Sequence, residues 1–221
     1  MTVVVIAIDG PSASGKGTVA RRVAAALGFK YLESGALYRL VALAARKKGI
    51  PEADQALLAR EAATLDARFA DGRIYLGGRE VGDELYSEEC GRGASAVAQL
   101  PAVREALLAR QRSFRVAPGL VADGRDMGTV VFPDATLKVF LTASAPTRAE
   151  RRYRQLRERG QSADLSALVR ELEERDRRDS ERAHAPLRPA EDAEVLDTTG
   201  LGIDEVVARV LGLYRERSGQ A

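Results

Sequence analysis

The sequence predicts an α/β fold built on a parallel sheet, and two observations carry that prediction. Six consecutive apolar residues, mostly β-branched, fill positions 3 to 8 (VVVIAI), the composition of a strand buried on both faces. A glycine-rich turn follows at once, GPSASGKGT at 10–18, and it opens a helix. From Lys16 to Leu27, Val19, Val23, Ala26 and Leu27 make one apolar face, and Gly28 stands where a left-handed C-cap belongs. Later apolar runs at 120–123 (LVAD), 137–142 (LKVFLT) and 195–197 (VLD) read as further strands separated by helical stretches.

The first of these units carries chemistry. Gly10 and Gly15–Lys16 match GxxxxGK with a strand before and a helix after, the context that confirms a Walker A loop. Gly10, with Pro11 and Ser12 behind it, permits a backbone path whose amides converge on an anion, and Gly15 lets a phosphate approach without meeting a Cβ. The helix N-terminus adds orphan N–H donors and its positive dipole end, and Lys16 adds a mobile charge. Gly10, Pro11, Ser12, Ala13, Ser14, Gly15, Lys16, Gly17 and Thr18 are therefore the expected ATP phosphate site. Gly17 stands where a Ser or Thr usually follows the lysine, so the hydroxyl comes one place later. Thr18 is the candidate Mg²⁺ ligand, directly or through water. The GKGT ending is similar to that of nucleoside monophosphate kinases.

Composition bounds the rest. A chain of 221 residues and 23.8 kDa suits one large α/β domain with insertions. Thirty-four Lys and Arg against 32 Asp and Glu leave a net charge of +2, so no global field recruits a nucleic acid. Cys90 and His184 are single representatives of their types, which excludes an internal disulfide and a Cys/His zinc site and points to a reducing compartment. The first apolar run stops at Asp9, and no later run approaches the ~20 residues of a membrane span, so a soluble, cytoplasmic protein is expected.

Taken in order, 29–34 (FKYLES) reads as a short strand, and Ser34-Gly35 opens a helix from about Ala36 to Lys48, stopped by Gly49. Leu37, Leu40, Val41, Ala44 and Ala45 face its core, with Tyr38 and Arg39 beside that stripe at the sheet edge where α/β proteins bind ligands. A helix over 52–65 precedes a change of texture. Asp71-Gly72 and Gly77-Gly78 separate three short runs centred on Arg68-Phe69, Ile74-Tyr75-Leu76 and Glu80-Val81, a small antiparallel insertion. It is either a lid over a second substrate or a surface hairpin. Helices follow over Ser87–Gln99, which holds Ser95, and from Pro101, which holds Arg104. The strand ending at Asp123 leads into Gly124, Arg125, Asp126 and Gly128, a turn placed where function concentrates. A helix from Thr147 carries Arg148, Arg151, Arg152, Arg154, Arg157 and Arg159. That run is either a solvated charged face or a basic lid, placed at about 148–165. A helix over Leu165–Arg182 sets Arg175, Arg178 and Arg182 on one face beside Asp179, and Ile203–Arg217 closes the chain.

Four segments, GPSASGKGT at 10–18, ESGALYR at 33–39, ADGRDMGTVVFPDA at 122–135 and ERDRRDSERAHAPL at 174–187, resemble bacterial cytidylate kinases, and the likeness spans nearly the whole chain. It implies a three-layer P-loop kinase core over 1–221, with a monophosphate-binding insertion at about 60–100 and a short helical lid. It also implies transfer of the γ-phosphate of ATP to CMP and dCMP with Mg²⁺, by a monomer. Residue by residue, Lys16, Arg125, Arg151 and Arg178 would act on the transferred group. Ser34, Tyr38, Arg39 and Arg125 would hold the monophosphate. Ser95, Arg104 and Asp126 would read cytosine, and Asp179 and Arg182 would lie near sugar and base. Arg151, Arg152, Arg175 and Arg178 would face lid or phosphate. Two positions depart from the pattern. Glu33 stands where Asp is common, and Tyr86 where Arg is frequent.

Overall fold

The structure, a computed structural model, describes residues 3–70, 72–158 and 160–219. Asp71 and Arg159, on which part of the hairpin and lid readings fell, lie outside the described residues. The chain forms two compact units, one of the described residues up to Leu32 and from Phe114 onward, the other Glu33–Ser113.

The first unit is a five-stranded sheet in the order β2-β6-β1-β7-β8, made of β1 Val4–Asp9, β2 Lys30–Glu33, β6 Gly119–Gly124, β7 Leu137–Thr142 and β8 Glu194–Asp197. β1 pairs in parallel with both β6 and β7, in a register that sets Asp9 opposite Gly124 on one side and Phe140 on the other. Being central, β1 has no face to spare for polar residues. Val5, Ile6, Ala7 and Ile8 are fully buried. Helix α1, Lys16–Leu27, lays Val19, Ala20 and Val23 on the sheet beside Val206, Val207 and Val210 of α9, Ile203–Ser218. Those burials, at about 1.5–3 kcal/mol per large aliphatic side chain, supply the main stabilising term of the unit. Helices α7, Ala145–Glu158, and α8, Leu165–Ser180, pack through Ala149, Leu156, Leu168 and Leu172. The Asp164 side chain caps α8 by accepting from the Ala167 amide at 2.6 Å.

The second unit holds α2 Ser34–Lys47, α3 Gln55–Ala63, α4 Gly82–Leu85, α5 Glu88–Val97 and α6 Pro101–Arg112, with an antiparallel sheet of β3 Ala67–Ala70, β4 Arg73–Leu76 and β5 Arg79–Glu80. The expected antiparallel insertion is present. Gly77 and Gly78 both take positive φ, +56° and +75°, the left-handed pair that a tight two-residue hairpin requires. α2 begins two residues before its predicted start, because the chain turns into the helix directly from Glu33, the last residue of β2. α3 starts later than predicted, where Asp54 accepts from the Leu57 amide at 3.0 Å. α8 ends at Ser180 rather than Arg182, and the Asp179 carbonyl then accepts from the Leu187 amide as the chain turns away. No helix among the described residues is long and apolar enough to cross a membrane.

Candidate active site

The phosphate loop of the first unit starts where β1 stops. Gly10 has φ +152°, and a Cβ built on it would lie 2.1 Å from the Leu141 carbonyl oxygen of β7, so only glycine fits between the strands there. Ala13 and Gly15 also take positive φ, +59° and +90°. For alanine that conformation costs about 1–2 kcal/mol, so the surrounding contacts must hold it.

Two arginines of α7 provide that hold. Arg148, buried, donates to the Ser12 carbonyl at 3.1 Å, to the Ala143 carbonyl at 2.9 Å and to Asp176 of α8 at 2.5 Å. Arg151, one turn on, donates to the Ser14 carbonyl at 3.2 Å and to the side chain and carbonyl of Thr198 at 3.0 and 2.7 Å. A planar trans peptide points its N–H opposite its C=O. With the Ser12 and Ser14 carbonyls drawn to α7, the amides of Ala13 and Gly15 face the other way, as an anion cradle needs. Arg148, counted in the sequence as one member of a basic run, is thus a structural clamp. The signal that could have found it is its spacing of three from Arg151, which sets both at the start of one helix face.

Lys16 donates to the Pro11 carbonyl at 2.9 Å. Burial and the neighbouring Arg125 guanidinium push its ammonium down to about 7, against the pull of Asp123 and Asp179. Arg125 donates to the Ser12 hydroxyl at 2.8 Å and to the Asp179 carboxylate at 2.9 Å. Arg182 pairs with the same carboxylate at 3.6 Å and donates to the Asp179 carbonyl at 3.1 Å. Burial alone would raise the Asp179 carboxyl, but Arg125, Arg182 and Arg175 outweigh it and hold it below the ordinary carboxylate value. Lys16, Ser12, Arg125, Arg175, Asp179 and Arg182 therefore lie together around the phosphate loop. Arg178 lies on α8 with its Nε buried and without a partner among the described residues, and Arg152 is partly exposed on α7.

Asp126 is buried at the N-terminus of a π-helical turn, Met127–Val131, whose first amides are taken by Asp9. The Asp9 carboxylate accepts from Met127 at 2.9 Å and Gly128 at 2.8 Å. Burial drives the Asp9 carboxyl up to about 7, with Asp126 adding to the rise and the two amides opposing it. Asp123, buried at the end of β6, is a second residue that sequence reasoning saw only as the acid closing a strand. Its Oδ1 accepts from Tyr31 at 2.7 Å, and its Oδ2 lies 3.8 Å from where a Cβ on Gly17 would stand. Thr18 is exposed in the first turn of α1. Among the described residues no three His, Cys, Asp or Glu side chains cluster as metal ligands. One carboxylate and one hydroxyl beside a phosphate loop nevertheless suit Mg²⁺, which takes few protein oxygens and fills its shell with water and phosphate.

In the second unit, Ser34 is buried at the start of α2 and Tyr38 is buried one turn later. Arg104 of α6 stacks over the Tyr38 ring at 5.5 Å and donates to the Ala98 carbonyl at 3.1 Å, and Ser95 is buried on α5. Arg39 lies over the Tyr86 ring at 5.7 Å. Its NH1 donates to the carbonyls of Leu85 and Ser87 at 3.0 and 3.3 Å. Three of this unit's five predicted residues thus fall in two small groups, Tyr38 with Arg104 and Arg39 with the Leu85–Ser87 segment.

Comparison with known proteins places the chain in a lineage. A family profile described as cytidylate kinase matches residues 6–216. Proteins named cytidylate kinase from Nitrosomonas eutropha and Chromobacterium violaceum are each 58% identical to the chain, covering 96% and 98% of it and 95% and 98% of themselves. One of the same name from Cupriavidus necator is 59% identical and covers 96% of each chain. Among solved structures, a gluconokinase from Sinorhizobium meliloti superposes with a TM-score of 0.50 at 18% identity, covering 96% of this chain and 92% of its own, a likeness of fold alone.

Proposed function

The chain belongs to the cytidylate kinase family, and from that premise we propose how its residues move the γ-phosphoryl group of ATP to CMP, giving ADP and CDP. The enzyme is an ATP-dependent CMP phosphotransferase. The observation that carries the division of labour is the Arg125 guanidinium, which spans the Ser12 hydroxyl of the phosphate loop and the Asp179 carboxylate.

Phosphoryl transfer asks little covalent help of a protein. It asks that donor and acceptor be aligned and that charge on the moving group be neutralised. The amides of Gly10–Thr18 hold the β- and γ-phosphates of ATP, and Lys16, beside Arg125, follows the transferring group. Arg125, Arg151 and Arg178 neutralise it. Their planar forks grip phosphate oxygens in pairs and stay charged. When bound, Mg²⁺ would neutralise part of the phosphate charge, and Thr18 and Asp123 are the residues that would hold it or its waters.

On the acceptor side, Ser34, Tyr38, Arg39 and Arg125 take the phosphate, Ser95, Arg104 and Asp126 the base, Asp179 and Arg182 sugar and base, and Arg175 a phosphate. The Asp126 carboxylate accepts from the exocyclic amino group of cytosine and repels the carbonyl that uracil presents there. Phosphorylation of dCMP, a monophosphate-binding insertion at about 60–100, a lid at about 148–165, a monomeric state and a cytoplasmic location complete the reading.

A coupled ADP-release assay with ATP and Mg²⁺, run in parallel with CMP, dCMP, UMP or AMP, tests it. CMP and dCMP should stimulate release well above UMP and AMP. Stimulation by UMP equal to that by CMP would overturn the base-reading roles, and acceptor-independent hydrolysis would overturn the acceptor assignment.

A further inference from the structure

Glu33 and Tyr86 meet in the structure. The Tyr86 hydroxyl donates to Glu33 Oε2 at 2.9 Å. Glu33 is the last residue of β2 and immediately precedes Ser34. Tyr86 closes α4, and the residues on either side of it, Leu85 and Ser87, supply the two carbonyls that accept from Arg39 NH1. The Tyr86 ring lies over the same guanidinium at 5.7 Å. Arg39 also packs against α5, since a Cβ built on Gly91 would fall 3.2 Å from its NH2. One short segment thus holds Arg39 by two carbonyls and a ring face, and Glu33 pins the far end of that ring.

We propose that Glu33 and Tyr86 are a positioning pair that orients the Arg39 guanidinium toward the acceptor's phosphate. The pair touches no reacting atom. It acts by removing the freedom of a long side chain, which otherwise loses rotamer entropy when it is fixed on a ligand. A hydroxyl-to-carboxylate bond is charge-assisted and roughly twice as strong as a neutral one, so it can hold the ring against such motion. The inference rests on reading Arg39 as a phosphate-holding residue.

The test is a double-mutant cycle on the full chain with Tyr86→Phe, Glu33→Ala and both together. Each variant is assayed for the KM of CMP, the KM of ATP and kcat, and titrated with CMP and with cytidine, which lacks the phosphate. Tyr86→Phe keeps the ring and removes only the donor. It should raise the KM of CMP roughly three- to tenfold and leave the KM of ATP and cytidine binding within about twofold. The double variant should be no worse than the worse single one, because both remove one bond. Multiplying losses, or equal loss for CMP and cytidine, would overturn the proposal. Should Glu33→Ala fail to fold, Tyr86→Phe decides alone, an unchanged KM for CMP being fatal. Arg39→Ala separates the two readings. If it leaves CMP binding intact, the phosphate role of Arg39 falls and takes the pair's role with it. If it weakens CMP but not cytidine while Tyr86→Phe changes nothing, only the positioning pair falls.

Discussion

Arg125 reaches the Asp179 carboxylate at 2.9 Å, with both side chains largely buried. Breaking such a pair from one side leaves a buried charge without its partner, at about 3–5 kcal/mol. Asp179→Ala leaves Arg125, Arg175 and Arg182 facing one another uncompensated, and should lower thermal stability by an amount of that order. Inorganic phosphate or CMP should restore part of the loss by replacing the carboxylate. A melt series with and without 50–100 mM phosphate, roughly a saturating level for a weak anion site, checks this. Failure of phosphate to raise the variant's Tm more than that of the unaltered chain would contradict it.

An Arg148 variant should affect the two substrates differently. Arg148→Lys keeps a charge for Asp176 but cannot reach the Ser12 and Ala143 carbonyls at once, since a lysine is a point donor without a fork. The expected result is a rise of about tenfold or more in the KM of ATP, with the KM of CMP little changed. Steady-state kinetics with each substrate varied in turn will show whether the loss is confined to ATP.

Lys16 makes nucleotide binding a proton-linked event. Its ammonium titrates at about 7 in the free protein, well below the ordinary lysine value. A polyphosphate beside it favours the charged form, so its pKa rises on binding and a proton is taken up. Uptake should be largest near pH 8, where the free side chain is mostly neutral, and should vanish near pH 5.5, where it is already charged. The free protein carries the complementary sign. Between about 7 and the unfolded lysine value near 10.4 the unfolded chain binds more protons at this site, so the Lys16 contribution to stability improves as pH rises through that window. Calorimetry of ATP binding in buffers of differing ionisation enthalpy measures the uptake, and Lys16→Met should abolish it.

Gly10 tests the loop's close approach to β7. Gly10→Ala must move the Leu141 carbonyl or the loop, and a cost of about 3 kcal/mol, combining overpacking and backbone strain, is expected together with loss of ATP binding. Gly212→Ala is the internal control. It lies within α9 with nothing within 4 Å of the added carbon, so it should stabilise by about 0.5–1 kcal/mol. Thermal unfolding of the two variants should move in opposite directions.

The sheet strands and most helices were legible because their signals are local. The buried run of β1, the Gly28 cap and the Gly77-Gly78 hairpin each announce themselves within a few residues. The phosphate loop was legible for the same reason, its glycines and lysine being contiguous. What escaped depends on contacts distant in the chain. Arg148 reads as one more charge in an arginine-rich helix until Ser12, 136 residues away, is seen to be its partner. Asp9 reads as the end of a strand until the amides of Met127 and Gly128 are found on its carboxylate. The positive φ of Ala13 has no sequence signal either, since alanine is not a residue that seeks that conformation. The end of α8 at Ser180 was missed because charge pattern continues past it, while the backbone has already turned.

The pairing of β1 with β6 places Asp9 opposite Gly124. The phosphate loop leaves the sheet at the first of these residues and the Arg125 turn leaves it at the second, so the two depart from neighbouring strands about 4.8 Å apart. That interval is set by the backbone hydrogen bonds of the ladder rather than by side chains in either loop. The sheet therefore serves as a fixed gauge between the phosphate loop and the Arg125 turn. On the proposed roles of the two, sequence change in the loops would alter which molecules are gripped while the gauge keeps their spacing.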